Sequence, residues 1–121
     1  MKISRYKQLV AEALEEIPEI TGNELRNKLS AEPGYYLIDV RETHELEKGY
    51  IPNASHLSRG ILEPNIERLI PDHNAEIILY CGGGGRSALA ALSLKKMGYK
   101  KVSSLAGGFG LWAQQGFPVV S

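Results

Sequence analysis

Residues 77–87 read I-I-L-Y-C-G-G-G-G-R-S, and this stretch decides the fold. Ile77-Ile78-Leu79-Tyr80 is an apolar run of strand length, the pattern of a strand covered on both faces. From Ser87 to Met97 the chain is rich in Ala and Leu. It carries Lys95 and Lys96 in the last turn and meets Gly98 at C′, which predicts a helix with Tyr99 packing back on Leu94. Between strand and helix stand the only cysteine, Cys81, and four consecutive glycines, Gly82 to Gly85. Glycine loses more backbone freedom on folding than any other residue, so this run marks a turn that needs close access to bare backbone.

Working outward, Tyr35 to Val40 is a second buried-type strand, Val102 to Leu105 a third, and Ala54 to Leu57 a short one. Helical patterns alternate with them. Thr21-Gly22-Asn23-Glu24 is a capping box with Ile20 and Leu25 at the staple positions, and it opens a helix to about Ser30, before a turn at Pro33-Gly34. Glu42 to Lys48 predicts one or two helical turns closed by Gly49, and Ile61 to Ile70 is amphipathic around Pro64. Gly107 to Gln115 is a last helix, with Trp112 inside and Gly116-Phe117-Pro118 ending it. At the N-terminus Tyr6, Leu9, Val10, Ala13, Leu14 and Ile17 share one helical face, and Pro18 stops the run. The expected fold is α/β in three layers: a central, mostly parallel sheet with helices on both faces, residues 18–121, plus an extra N-terminal helix within residues 1–17. In such sheets ligands bind at the carboxyl ends of strands, where Cys81 stands.

Composition narrows the function. A chain of 121 residues fits one domain, and 14 basic against 14 acidic residues give no basic field to hold nucleic acid. A lone cysteine forms no internal disulfide and suits a reducing compartment. The charged N-terminus is unlike a signal peptide, and no run is long enough to span a membrane, so a cytoplasmic protein without a membrane partner is expected. His44, His56 and His73 are not at metal spacing, so no metal site is expected. Gly107-Gly108 lacks a following Gly-Lys-Ser/Thr and reads as a turn. The amphipathic N-terminal helix is expected to dock on its own domain; packing on another chain is the alternative, which leaves the oligomeric state open.

A glycine turn feeding a helix N-terminus gathers loop N–H groups into an anion-binding nest, and the helix dipole adds positive potential there. With Arg86 nearby, these features favour a thiolate at Cys81. Two chemistries suit it. One is phosphoryl transfer, but cysteine phosphatases use Cys-x5-Arg, and Cys81 to Arg86 gives Cys-x4-Arg, a loop one residue short for a ringed phosphate. The other is transfer of a single sulfur atom through a persulfide on Cys81.

The sequence resembles the single-domain rhodanese (sulfurtransferase) family over about residues 18–120. The matching pieces are Leu37-Ile38-Asp39-Val40-Arg41-Glu42, Gly49-Tyr50-Ile51-Pro52-Asn53-Ala54, and Ile78-Leu79-Tyr80-Cys81 with the loop ending at Arg86. Leu105-Ala106-Gly107-Gly108, Trp112 and Gly116-Phe117-Pro118 complete them. The resemblance implies the α/β fold, Cys81 as persulfide carrier, thiosulfate as test donor and cyanide as test acceptor, with thiols or partner proteins as physiological acceptors. It departs at Tyr50, where the family often has His, and the N-terminal helix is not part of the minimal family domain.

Candidate site residues follow. Cys81 is the nucleophile, and the amides of Gly82, Gly83, Gly84, Gly85 and Arg86 hold charge on sulfur. Arg86 is either a substrate clamp or a loop brace; Ser87 is an N-cap and a donor to the persulfide. Asp39 holds the loops around the site. Because the glycines carry no selective side chain, Arg41 and Arg59 are the candidates to draw an anionic donor to the mouth. No metal or organic cofactor is needed. The rival readings are a sulfur-carrier or sensor module with little thiosulfate activity, and a cysteine phosphatase or arsenate reductase. A binding domain of the kind that has lost the cysteine fits least, since Cys81 is present.

Overall fold

The computed structural model describes residues 4–31 and 34–121, so part of the predicted Pro33-Gly34 turn lies outside the described residues. Five strands form one sheet: β1 (Glu19–Ile20), β2 (Tyr36–Asp39), β3 (Ser55–His56), β4 (Glu76–Tyr80) and β5 (Lys101–Leu105). Their order is β1-β5-β4-β2-β3, and each neighbouring pair is parallel, so the sheet is wholly rather than mostly parallel. The alternation of side chains along β4 shows why its sequence is continuously apolar. Ile77 and Leu79 enter one core with Ile38 and Val40, while Ile78 and Tyr80 enter a second with Leu37 and Trp112. Successive residues point to opposite faces, and both faces are covered.

Five α-helices flank the sheet: α1 (Arg5–Glu16), α2 (Gly22–Ala31), α3 (Leu62–Leu69), α4 (Gly85–Lys96) and α5 (Gly108–Gln114). Leu62 and Ile66 of α3 and Ala90, Ala91 and Leu94 of α4 fill the first core; Leu25 of α2 and Trp112 of α5 fill the second. The capping box forms as predicted: the Glu24 N–H donates to Thr21 Oγ1 at 3.1 Å and the Thr21 N–H to Glu24 Oε1 at 2.9 Å. Residues Thr43–Lys48 form a 3₁₀ helix closed by Gly49.

One element is unexpected and one local expectation is corrected. β1 has no hydrophobic pattern of its own and exists because Ser104 and Ala106 donate N–H bonds to the carbonyls of Pro18 and Ile20. At the sheet edge the missing N–H of Pro18 costs nothing. The helix after the cysteine starts at Gly85, and its N-cap is Gly84 rather than Ser87, with Gly84 at φ 103° in the left-handed region. Only a residue without a Cβ holds that conformation cheaply.

The N-terminal helix is seated on α4. Glu16 pairs with Lys95 near the C-terminal ends of both helices, at 3.5 Å, and Tyr6 lies against Gly85 at their N-terminal ends. The two helices therefore run parallel, side by side. Ala13 is wholly buried and Ile17 joins the first core, whereas Tyr6 and Leu9 of the same apolar stripe are about half exposed, at 50% and 54%. Among the described residues no helix is long and apolar enough to cross a membrane.

Candidate active site

Cys81 is the first residue beyond β4, the middle strand of the sheet. Its Sγ receives the Gly84 N–H at 3.1 Å and the Ser87 N–H at 3.4 Å, with the Ser87 hydroxyl also at 3.4 Å. Ser87 is fully buried in the first turn of α4, and its Oγ is held by Ser104 Oγ at 2.8 Å and donates to the Gly84 carbonyl at 3.2 Å. Ser87 thus faces the sulfur, as sequence reasoning allowed, although it caps nothing. Backbone dipoles fixed around one sulfur stabilise negative charge there without reorganisation.

The turn keeps its amides inward because its carbonyls are tied outward. Phe109 donates its N–H to the Cys81 carbonyl at 2.7 Å, and Gly110 donates to the Gly82 carbonyl at 2.9 Å. This close approach of α5 requires Gly107 and Gly108, at φ 75° and 59°. A Cβ on Gly108 would stand 2.5 Å from the Cys81 carbonyl oxygen. Sequence reasoning took this pair for a plain turn. It is a turn, and it is also the support of the cysteine loop; only the contact across the fold reveals that.

The four loop glycines answer to different demands. Gly84 supplies positive φ. At Gly82 a Cβ would crowd the Arg86 guanidinium at 3.1 Å, and at Gly85 it would collide with the Tyr6 hydroxyl of α1. Gly83 faces open space, and nothing in the structure requires a glycine there.

Each candidate arginine already has a carboxylate. Arg41 is 3% exposed and clasps the buried Asp39 through Nε at 3.0 Å and Nη2 at 2.8 Å. Its other N–H groups bond the carbonyls of Glu45 (3.2 Å) and Gly49 (2.8 Å), and its plane lies over the Phe109 ring at 4.3 Å. Arg41 therefore braces the 43–48 segment from inside and does not reach the mouth to attract a donor, which corrects that expectation. Asp39 is the anchor of this brace. Arg59 pairs with Glu63 at 2.7 Å, Glu63 in turn accepts from Ser93 of α4, and Arg59 is not among the residues lining the cysteine cleft. Arg86 makes a two-pronged bridge to Glu45, at 2.7 and 2.9 Å. Of its two predicted roles, this geometry is that of a brace.

The hydrogen-bonded guanidinium of Arg86 holds the Glu45 carboxyl at about 2, well below its ordinary 4.5. A carboxyl depressed on folding stabilises the native state above its unfolded value, and that stability is lost as pH falls from about 5 towards 2. The pair is partly exposed, so solvent screening leaves about 1 kcal/mol of it. Glu45→Gln is expected to lower the thermal midpoint at pH 6 and to flatten its decline between pH 6 and 3. Equal slopes for both proteins would contradict this linkage.

A wholly parallel α/β sheet with a cysteine at the end of its middle strand, its sulfur held by two backbone N–H groups, defines a class of loop-thiol α/β proteins. Within that class the chain belongs to the rhodanese-like domain family, whose profile matches residues 21–115 and leaves α1 outside. A sulfurtransferase of Allochromatium vinosum is 30% identical over 105 residues, 87% of this chain and 96% of that one. Bacillus subtilis YrkF, described provisionally as a sulfur carrier protein, is 36% identical over 96 residues; the chain spans about half of it, 51%. Among solved structures, the polysulfide-sulfur transferase homodimer of Wolinella succinogenes superposes with a TM-score of 0.81 at 30% identity, covering 95% of this chain and 86% of that one. A Rhodopseudomonas palustris protein of unknown function, described as a possible tyrosine phosphatase, gives 0.88 at 32% identity over 99% and 98% of the two chains.

Proposed function

We propose that the protein is a sulfurtransferase that carries a sulfane sulfur as a persulfide on Cys81, with thiosulfate or a small persulfide as donor and cyanide, a thiol or a protein thiol as acceptor. The observation that carries this reading is the pair of N–H groups and the hydroxyl converging on Sγ, in a turn whose arginine is already engaged. A phosphatase needs that guanidinium on the phosphate. Here Glu45 takes both of its prongs, which favours sulfur over phosphate for this site.

In the first half-reaction the Cys81 thiolate attacks the outer sulfur of thiosulfate. A new S–S bond forms, the old one breaks, and sulfite leaves with the bonding electron pair. In the second, the acceptor attacks the outer sulfur of the persulfide, and Cys81 leaves as a thiolate. No net oxidant is consumed, and no base is required when the sulfur enters as a thiolate. The Gly84 and Ser87 N–H groups stabilise the sulfur anion in the resting and product states of this cycle. The expected cellular setting is a reducing, cytoplasmic one, since Cys81 must stay free.

The test is intact mass after incubation with thiosulfate. One added sulfur atom, removed by cyanide as thiocyanate and absent in Cys81→Ser, is the expected result. Uptake from a small persulfide but not from thiosulfate would make the protein a carrier fed by a partner. No uptake from either would overturn the reading.

A further inference from the structure

The open cleft over Cys81 has a volume of about 380 Å³, and Tyr6, Lys7 and Val10 of α1 line it together with Arg86. Among the described residues no carboxylate lines it. Arg86, Arg41 and Arg59 are each bound to an acid, whereas Lys7 forms no ion pair among the described residues. The parallel seating of α1 on α4 brings Lys7 here. Gly85 lets the Tyr6 side chain lie directly on the loop, and the Ser4 hydroxyl caps the turn by accepting the Lys7 N–H at 3.1 Å. Lys7 itself is exposed, so its ammonium is hydrated and can approach an incoming anion.

We infer that Lys7 is the specificity residue of this cleft: it receives the anionic end of the donor, such as the sulfonate of thiosulfate, while Cys81 takes the sulfur. The inference rests on the persulfide reading for its substrate, and it assigns to the N-terminal helix the selection that the bare glycine loop cannot supply. Lys7 is a positioning charge, with no part in bond making. An exposed charge acting on a dianion is expected to change the rate of Cys81 persulfidation by thiosulfate about 3- to 10-fold.

The experiment compares wild type, Lys7→Gln, Lys7→Arg and, as a distant control, Lys96→Gln at the far end of α4. Cys81 is alkylated with iodoacetate, an anion, and with neutral iodoacetamide; it is also treated with thiosulfate, which forms the persulfide as sulfite leaves, and with a neutral organic disulfide, which forms the mixed disulfide as one thiolate leaves. Lys7→Gln should lower the iodoacetate-to-iodoacetamide rate ratio about 2- to 3-fold. It should also slow thiosulfate, by raising its KM, while sparing the neutral disulfide. Lys7→Arg should restore both and Lys96→Gln should change neither. An unchanged alkylation ratio in Lys7→Gln, or an equal loss with charged and neutral reagents, overturns the inference. A changed ratio in a protein that takes sulfur from no donor would uphold Lys7 as the anion selector and sink the sulfurtransferase reading instead.

Discussion

Gly108→Ala is expected to cost this protein both stability and sulfur transfer. An alanine at φ 59° pays roughly 1–2 kcal/mol for the left-handed region. Its Cβ also falls 2.5 Å from the Cys81 oxygen and 2.7 Å from the Gly82 carbonyl carbon, and these are backbone atoms that cannot swing aside. α5 must retreat, and the hydrogen bonds from Phe109 and Gly110 to the loop carbonyls lengthen. A total of about 3 kcal/mol or more lowers the melting midpoint by roughly 10 °C or more at this chain length. The loop then loses what turns its amides towards Sγ, and persulfidation should slow by about 100-fold, the scale of a 1 Å misplacement. Gly83→Ala gives the contrast in stability: its Cβ meets nothing within 4 Å, so the midpoint should hardly move, by about 0.5 kcal/mol at most. Similar melting curves for the two variants would disprove the supporting role of α5.

Asp39→Asn is the second large effect. The substitution keeps the shape of the side chain and leaves the Arg41 guanidinium buried without a counter-charge, for which about 3–5 kcal/mol is the usual cost. The damage should spread along a definite route. Arg41 holds the carbonyls of Glu45 and Gly49, and the Glu45 side chain holds Arg86 beside the loop. Loss of stability should therefore be accompanied by slower sulfur uptake, although the side-chain hydrogen bonds of Asp39 all go to Arg41 and its effect reaches Cys81 through this chain of partners. Combining Asp39→Asn with Arg41→Met removes the orphaned charge and should recover part of the lost stability. A double variant as unstable as the sum of the two single ones would show that the ion pair is not the cause.

Much of the fold is legible in the sequence because it is written at short range. The apolar runs at 35–40 and 77–80, the Thr21–Glu24 box and the Gly98 terminus each fix a few neighbouring dihedrals, and the alternation of strand and helix then implies parallel pairing. The nucleophile is legible for the same reason: a cysteine joined to four glycines between a strand and a helix is a local statement about backbone. β1 is not legible, since two residues at an edge become a strand only by accepting bonds from β5.

The partners of the charges are decided over longer distances. Arg86 and Glu45 are 41 residues apart, so no spacing rule could say that the loop arginine is occupied. Arg41 stands two residues from Asp39, yet its burial depends on Phe109 closing over it. Tyr6 and Gly85 meet only because α1 lies parallel on α4, and that contact accounts for the glycine at 85 and brings Lys7 to the cleft. The sequence by itself thus determined the layers, the strand that carries the cysteine and the bare turn around it, because propensity, periodicity and glycine freedom act on adjacent residues. Which cations are spent on carboxylates, and which unpaired one lines the cysteine cleft, was decided by the tertiary structure, because electrostatic pairing is settled by distance in space.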